Sequence, residues 1–237
     1  MKEFSAKHPI VFGAVLFIIA LIAALIPTAA LQMVGFTTES AAAVGRLIVG
    51  IILLAIFRSS ISWESSFKGL RWALPALLIV VWNIALELIA GNTPVGPAGI
   101  VEALLLGLAP AIFEESIFRI AVIGKLREGG RGAWHALWAS SLLFAAIHLT
   151  NAVGGNIANT LVQVVYSLAI GLFLGAVYLK TGDAASAILA HAVIDISNHL
   201  FVGPDANATV PLLIGFAAIL VAITAYSIWL ARTVDEA

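Results

Sequence analysis

Two adjacent acids and an arginine lie within an apolar stretch of the chain. Glu114 and Glu115 precede Arg119 in the segment Phe-Glu-Glu-Ser-Ile-Phe-Arg. A charged side chain near the centre of a bilayer costs roughly 2.5–3.5 kcal/mol on insertion scales. Three such groups this close together indicate a site where the protein pairs them or uses them in chemistry.

The spacing gives the two acids different positions on a helix. Glu115 and Arg119 are four residues apart, so they are neighbours on a helix surface in the favourable order of acid before base. We therefore expect Glu115 to neutralise Arg119. Glu114 points about 100° away and is expected to meet groups from other helices rather than share a partner with Glu115. Pro110, four residues earlier, removes a backbone donor and should kink the helix beside the pair.

Polar residues recur in two later apolar stretches. His148 follows Phe144 by four residues, and Phe144 is expected to pack so that it fixes the helix carrying His148. His191, Asp195 and Asn198 follow a spacing of four and then three residues, which places all three on one face of a helix. A face with this many polar groups must point into a bundle or towards water.

The composition indicates which kind of protein positions these groups. Hydrophobic residues make up 62% of the 237 residues and charged residues 11%, whereas roughly a quarter of a soluble domain is charged. We predict an all-α, polytopic membrane bundle that forms a single domain over 1–237, with a core at about 98–202. A span needs about 20 apolar residues. The predicted spans are 10–34, 41–57, 70–90, 98–124, 133–153, 157–179, 184–202 and 209–231.

The basic residues outside these spans predict the orientation. They fall in every second connection, and the positive-inside rule then places both termini in the cytoplasm. Residues 59–72 suit either a helix lying in the cytoplasmic interface or a plain loop. We expect a prokaryotic plasma membrane. The basic residues of the cytoplasmic connections and termini are Lys2, Lys7, Arg58, Lys68, Arg71, Lys125, Arg127, Arg131, Lys180 and Arg232.

Other polar residues lie within spans without a motif. Arg46, Asn83, Glu87 and Glu102 are expected either to pair between helices or to line a substrate path. The chain has no cysteine, which excludes thiol catalysis, thiolate metal sites and disulfides. Its net charge of −1 predicts no nucleic-acid partner.

The acid pair and His148 must lie at similar depths if they act together. At 1.5 Å per residue, Glu114 lies about 16 Å from Lys125, whereas His148 lies about 25 Å from Arg131. We expect the two to meet, which requires residues 129–138 to lie in the interface.

Three ordered motifs resemble a known family. Glu-Glu-x-x-x-Arg at Glu114, Phe-x-x-x-His ending at His148 and His-x-x-x-Asp starting at His191 are similar to those of the CAAX-processing and bacteriocin-processing (CPBP, or Abi) intramembrane proteases. The resemblance covers about 98–202. It implies an eight-helix glutamate endopeptidase of the type II prenyl-protein kind, without a required metal.

The resemblance also implies roles for single residues. Glu114, together with His148, would activate a water molecule. Glu115 and Arg119 would support them, and His191 with the residue at 195 would stabilise the oxyanion of the tetrahedral intermediate.

Asp195 departs from the prenyl proteases, which often carry Asn there. A carboxylate cannot donate a hydrogen bond unless it is protonated. Asp195 would therefore either hold His191 in a donating tautomer or itself be neutral, and Asn198 is a possible substitute donor.

The sequence is compatible with several functions. The first is hydrolysis of a peptide bond near the C-terminus of a prenylated or membrane-associated substrate, in a cavity open to the cytoplasmic side. The second is a non-proteolytic scaffold or immunity-type protein of the same fold, and the third a proton-coupled transporter. A zinc-dependent variant would use Glu114, His148 and His191 as a His₂Glu ligand set. The oligomeric state is not predicted.

Overall fold

The computed structural model describes residues 7–61, 67–153, 155–204 and 209–234. These residues form a nearly all-α bundle, as the composition predicts. The helices are α1 (Pro9–Met33), α2 (Thr38–Ile56), α3 (Leu70–Ala73), α4 (Ala76–Ile89), α5 (Pro97–Glu115), α6 (Gly124–Glu128), α7 (Ala133–Ile147), α8 (Ile157–Thr181), α9 (Ala184–Ser197) and α10 (Val210–Arg232).

Short polar residues set the helix boundaries. The side chain of Thr37 accepts a hydrogen bond from the first turn of α2, and that of Asn156 does the same for α8. Gly182, with φ of 66°, ends α8 in the left-handed conformation that glycine adopts readily. Asp183 then caps α9 by accepting from the backbone N–H of Ser186 at 3.1 Å.

The long apolar helices indicate that the chain is an integral membrane protein. Of the helices in the described residues, α1, α2, α8 and α10 are long and apolar enough to cross a membrane, by length and composition. The apolar helices α4 and α9 are shorter. The helix bounds follow the apolar stretches closely, and the count of eight spans stays a prediction.

The structure differs from the expected spans in several places, and the span expected at 70–90 is interrupted between α3 and α4. Residues Ser116–Ile123, between α5 and α6, form a π-helix, and His148–Ala152 after α7 form a 3₁₀-helix. The predicted span 184–202 ends as a helix at Ser197. Strand β1 (Thr93–Pro94) pairs antiparallel with β2 (Phe201–Val202) at one end of the bundle.

The interfacial segment at 59–72 is only partly described. Residues Arg58–Ser60 form a 3₁₀ turn and α3 begins at Leu70. The predictions that concern Lys2 and residues 62–66, 154 and 205–208 lie outside the described residues.

Glycines allow the helices around the site to approach closely. A Cβ atom at Gly107 on α5 would lie 2.7 Å from the backbone nitrogen of Ile196 on α9. At Gly50 on α2 it would lie 3.0 Å from the backbone nitrogen of Phe113, and at Gly171 on α8 it would lie 3.2 Å from an aromatic ring on α7. Helix packing in membranes depends on such small residues because they let backbones come together.

The register between α5 and α7 places two site residues in the same cavity. The hydroxyl of Ser140 donates to the backbone oxygen of Phe118 at 2.8 Å, and the Phe118 ring lies 5.2 Å from that of Phe144. The two segments run antiparallel, and further along them Glu114 and His148 line the same cavity. The two residues meet as expected, although the helix begins at Ala133 and not near residue 138.

Candidate active site

A cavity of about 590 Å³ lies among α1, α2, α5, α7, α8 and α9. Most of the predicted site residues line it, and the remaining two, Glu115 and Arg119, are fully buried within the bundle. The structure therefore brings together polar groups from three separate apolar stretches. The predicted residues that line the cavity are Glu114, Phe144, His148, His191, Asp195 and Asn198.

Glu115 joins two of the three motifs. Its Oε2 lies 3.0 Å from Nε of Arg119, and both side chains are 0% exposed, so the expected ion pair is confirmed. Its Oε1 accepts a hydrogen bond from Nδ1 of His191 at 2.9 Å. Glu115 thus binds α9 to the helix that carries both acids, a contact that sequence spacing alone does not predict.

The expectation that the two acids serve different partners is wrong. Oε2 of Glu114 lies 3.9 Å from Nε2 of His191, while Glu115 contacts Nδ1 of the same ring. An imidazole presents nitrogen atoms on two sides, so one ring can lie between adjacent carboxylates that diverge by about 100° around a helix.

Arg119 is held by weak polar contacts and by an aromatic ring. Its Nη2 donates to the backbone oxygen of Gly171 at 3.4 Å, and its guanidinium lies 4.7 Å from the centre of the Phe144 ring. The contact with Glu115 is close in distance but lacks the geometry of a hydrogen bond. Because a desolvated cation–π contact is worth about 2 kcal/mol, the ring of Phe144 stabilises a charge that would otherwise be poorly satisfied.

Phe144 does more than fix the helix of His148. Its ring meets the imidazole of His148 at 5.1 Å and that of His191 at 5.9 Å, both in edge-to-face geometry. Such contacts restrict how either imidazole can rotate. Phe144 therefore positions both histidines of the site.

The hydrogen bond of His148 assigns its tautomer. Nδ1 lies 2.8 Å from the backbone oxygen of Phe144. A carbonyl oxygen only accepts, so Nδ1 carries the hydrogen and Nε2 of the neutral ring is left with a lone pair. This nitrogen is available to orient a water molecule or to accept its proton.

Asp195 approaches the second nitrogen of His191. Its Oδ2 lies 3.4 Å from Nε2, and its side chain is 26% exposed. Glu115 already holds Nδ1, so Asp195 is not the residue that fixes the tautomer through that atom. A doubly protonated imidazole would donate to Glu115 from Nδ1 and towards Asp195 or the cavity from Nε2.

Asn198 lies at the edge of the cavity and has a partner on α4. Its Oδ1 accepts from Nδ2 of Asn83 at 2.7 Å, and the same amide of Asn83 donates to Oγ of Ser197 at 2.9 Å. The amide nitrogen of Asn198 makes no hydrogen bond to another described residue. The side chain is exposed, whereas His191 is buried.

Of the polar residues without a motif, Asn83 and Glu102 pair between helices as expected, whereas Glu87 pairs locally with the residue that follows its own helix. Asn83 bonds α4 to α9 in the contact above, Glu102 accepts from Oγ of Ser40 on α2 at 2.9 Å, and Glu87 accepts from Nδ2 of Asn92 at 2.6 Å. Arg46 lines the cavity, and its role in a substrate path stays a prediction.

The cavity extends from the bundle interior to one end of the bundle. Its deep wall includes the buried Phe144 and His191, and its rim includes the exposed Glu39, Thr150 and His199. This rim lies at the end with β1 and β2, opposite the basic connections. The expectation that the cavity opens on the side of the basic connections is wrong, because the exposed residues that line it lie at the opposite end of the bundle.

The zinc alternative has no preformed ligand geometry. Within the described residues, no group of three His, Cys, Asp or Glu side chains is arranged to hold a metal ion. Glu114, His148 and His191 share the cavity, but the structure does not present them as such a set.

The fold and these groups define a helical membrane protein with an internal site of carboxylates and imidazoles. Residues 95–197 match the family model described as Type II CAAX prenyl endopeptidase Rce1-like, which confirms the family resemblance of the three motifs. The matched stretch contains Glu114, His148, His191 and Asp195. No curated protein and no solved structure shows a significant match to the chain.

Proposed function

We propose that the protein is an intramembrane endopeptidase that hydrolyses a peptide bond near the C-terminus of a prenylated or membrane-associated substrate. The family match supports a peptidase of the CAAX type. The observation that carries the proposal is the convergence of Glu114, His148 and His191 on one cavity. Helices from three separate parts of the chain contribute these side chains, and a purely structural role does not require all of them.

In the proposed reaction, Glu114 is the general base. Its carboxylate takes a proton from a water molecule that Nε2 of His148 helps to orient. The resulting hydroxide attacks the carbonyl carbon of the scissile bond and forms a tetrahedral intermediate. When the carbon–nitrogen bond breaks, Glu114 returns the proton to the departing amine. A positioned acid–base group of this kind contributes about 10²–10⁴-fold to a rate.

His191 is proposed to stabilise the oxyanion. With Nδ1 donating to Glu115, a protonated ring directs Nε2–H towards the cavity, near Glu114 and Asp195. A donor fixed in this way is preorganised for negative charge that develops in the transition state, and removing one oxyanion donor costs about 2.7–4 kcal/mol. Arg119 acts through Glu115 and does not touch the substrate.

The proposal includes the topology and the absence of a required metal. We place eight spans in a prokaryotic plasma membrane, with both termini cytoplasmic, because the basic residues alternate between connections. The site chemistry is complete with carboxylates, imidazoles and water. Cleavage by the purified protein should therefore persist in excess chelator, and metal analysis of the same sample should detect no stoichiometric zinc.

The test is cleavage by the purified full chain in lipid. A farnesylated CAAX peptide and a panel of membrane peptides are incubated with the wild type, Glu114→Gln and Glu102→Gln. Glu102 provides the matched control, because it is an exposed carboxylate on the same helix whose partner is Ser40.

We expect Glu114→Gln to lower kcat by about 10²–10⁴-fold and Glu102→Gln to leave it within about threefold of the wild type. Equal activity of wild type and Glu114→Gln would refute the mechanism. Cleavage of no peptide by the wild type would favour the scaffold of the same fold.

A further inference from the structure

The two ends of the bundle differ in charge. At one end, the backbone N–H of Gly69 donates to Oδ2 of Asp183 at 2.9 Å, and Nζ of Lys180 donates to the backbone oxygen of Thr233 at 2.9 Å. These contacts bring together the connections after α2 and α8 and the end of α10. The described basic residues outside the bundle interior lie at this end, and they are Lys7, Arg58, Lys68, Arg71, Lys125, Arg127, Arg131, Lys180 and Arg232.

The other end carries no lysine or arginine in its connections. Here β1 pairs with β2, and Nδ2 of Asn92 donates to the backbone oxygen of Pro204. By the positive-inside rule the basic end is cytoplasmic and this end faces away from the cytoplasm. The rule depends on short connections, and the connections here are short enough for it to apply.

The cavity rim belongs to the end without basic residues. Glu39 lies in the first turn of α2, Thr150 and Asn151 follow α7, and His199 follows α9. All four are exposed and line the cavity, whereas its buried wall contains His191. A substrate that enters through this opening passes the polar rim before it reaches the buried residues of the site.

We propose that the cavity receives its substrate from the non-cytoplasmic side of the membrane. The substrate class is then a peptide segment exposed on that side and continuous with a membrane-inserted stretch, not a prenylated cytoplasmic C-terminus. The substrate part of this inference rests on the proposed peptidase function. The orientation of the cavity is independent of it.

The absence of cysteine allows a direct test of orientation. Single-cysteine variants Glu39→Cys and Thr150→Cys probe the rim, and Arg131→Cys probes the basic end. Intact cells that express the full chain are treated with a membrane-impermeant thiol reagent, before and after permeabilisation. We expect the two rim variants to react in intact cells and Arg131→Cys to react only after permeabilisation. The reverse pattern would overturn the proposed orientation whether or not the protein cleaves peptides.

A second measurement tests the substrate class. One reporter protein carries a cleavable segment on the non-cytoplasmic side of a membrane anchor, and a second reporter carries the same segment on the cytoplasmic side. We expect cleavage of the first only, with loss of cleavage in Glu114→Gln. Cleavage of only the cytoplasmic reporter would refute the inference, whereas cleavage of neither would count against the peptidase function and leave the labelling result to decide the orientation.

A separate observation concerns Arg46, which lines the same cavity. Gly50 on α2 packs against the backbone of Phe113, and Arg46 lies one turn, about 6 Å, nearer the rim. Unlike the paired and buried Arg119, it is half-buried and makes no hydrogen bond or ion pair with a described residue. The cavity therefore holds a guanidinium between its opening and Glu114.

We infer that Arg46 binds a carboxylate of the substrate, which in cleavage near a C-terminus is the terminal carboxylate. Guanidinium groups bind carboxylates in a bidentate fork, a geometry that lysine cannot reproduce. The bound carboxylate would fix how far the scissile bond lies from the chain end. Arg46 is then a specificity residue of the proposed peptidase.

Binding measurements test this role without depending on cleavage. A fluorescent apolar peptide is prepared as the free acid and as the C-terminal amide, and each is titrated into Glu114→Gln protein with Arg46 intact or replaced by Gln or Lys. We expect Arg46→Gln to weaken binding of the free acid by about 10- to 100-fold, with Lys intermediate and the amide nearly unaffected. Equal losses for acid and amide, or no preference for the acid with Arg46 intact, would contradict the inference.

Discussion

Replacing Glu115 should affect the fold far more than replacing its neighbour Glu114. The side chains of Glu115 and Arg119 are both 0% exposed, whereas that of Glu114 is 15% exposed and its nearest ionic contact is at 3.9 Å. A Gln at 115 can still accept the hydrogen bond from His191, so the main change is an unpaired buried guanidinium.

The size of the effect follows from that unpaired charge. Removing one partner of a buried ion pair costs about 3–5 kcal/mol, so we expect Glu115→Gln to lower the free energy of unfolding by this amount. Glu114→Gln should change it by less than about 1 kcal/mol, as is usual away from such features. The double variant Glu115→Gln with Arg119→Gln should recover most of the loss, because neither charge remains.

Unfolding in mild detergent by denaturant titration measures these differences, with Glu102→Gln as the exposed control on α5. The comparison requires coincident transitions by two probes, so that a single free energy of unfolding is defined. Equal stability of Glu114→Gln and Glu115→Gln, or a double variant no more stable than Glu115→Gln, would show that the buried pair does not hold the site together.

Three further changes test other contacts. Asp195→Asn should retain activity within about tenfold in the peptide assay, because His191 is oriented through its other nitrogen and an amide can donate to the oxyanion; a loss above about 100-fold would mean that the negative charge is required. Gly107→Ala should destabilise the protein by about 1–3 kcal/mol, because the added methyl group overpacks against the backbone of α9. Gly124→Ala is the control, since its added Cβ meets nothing within 4 Å, and it should not lower the melting temperature. Asp183→Ala should cost about 0.5–2 kcal/mol for the lost N-cap of α9 and about 1–3 kcal/mol more because the backbone N–H of Gly69 loses its buried acceptor, and an unchanged melting temperature would contradict both roles.

Much of the architecture could be predicted because the length of an apolar stretch and the residues that end a helix are both read from neighbouring residues in the sequence. The stretch predicted at 157–179 is a helix at Ile157–Thr181, with Asn156 and Gly182 at its ends. The i,i+4 rule predicted the pair of Glu115 and Arg119. The π-helix after Glu115 and the pairing of β1 with β2 could not be predicted, because they depend on tertiary packing rather than on residue periodicity.

Side-chain contacts between residues on different helices were harder to predict from the sequence. Helix geometry fixes the angle between Glu114 and Glu115, but it does not fix where a ring from another helix lies. His191 reaches both acids because Gly107 lets α9 approach α5 closely. The direction of the cavity was missed for a similar reason, since it depends on how the helices pack together.

The division between the two adjacent acids has an evolutionary consequence. Glu115 contributes to the cohesion of the bundle through Arg119 and His191, while Glu114 has no ion pair that the fold requires. Under the proposed mechanism, a single substitution at 114 would therefore abolish the chemistry and leave the architecture intact. If the protein is the proposed peptidase, a pseudoenzyme can arise from it in one step, and retention of Glu115 without Glu114 would mark a lineage that kept the fold after losing hydrolysis.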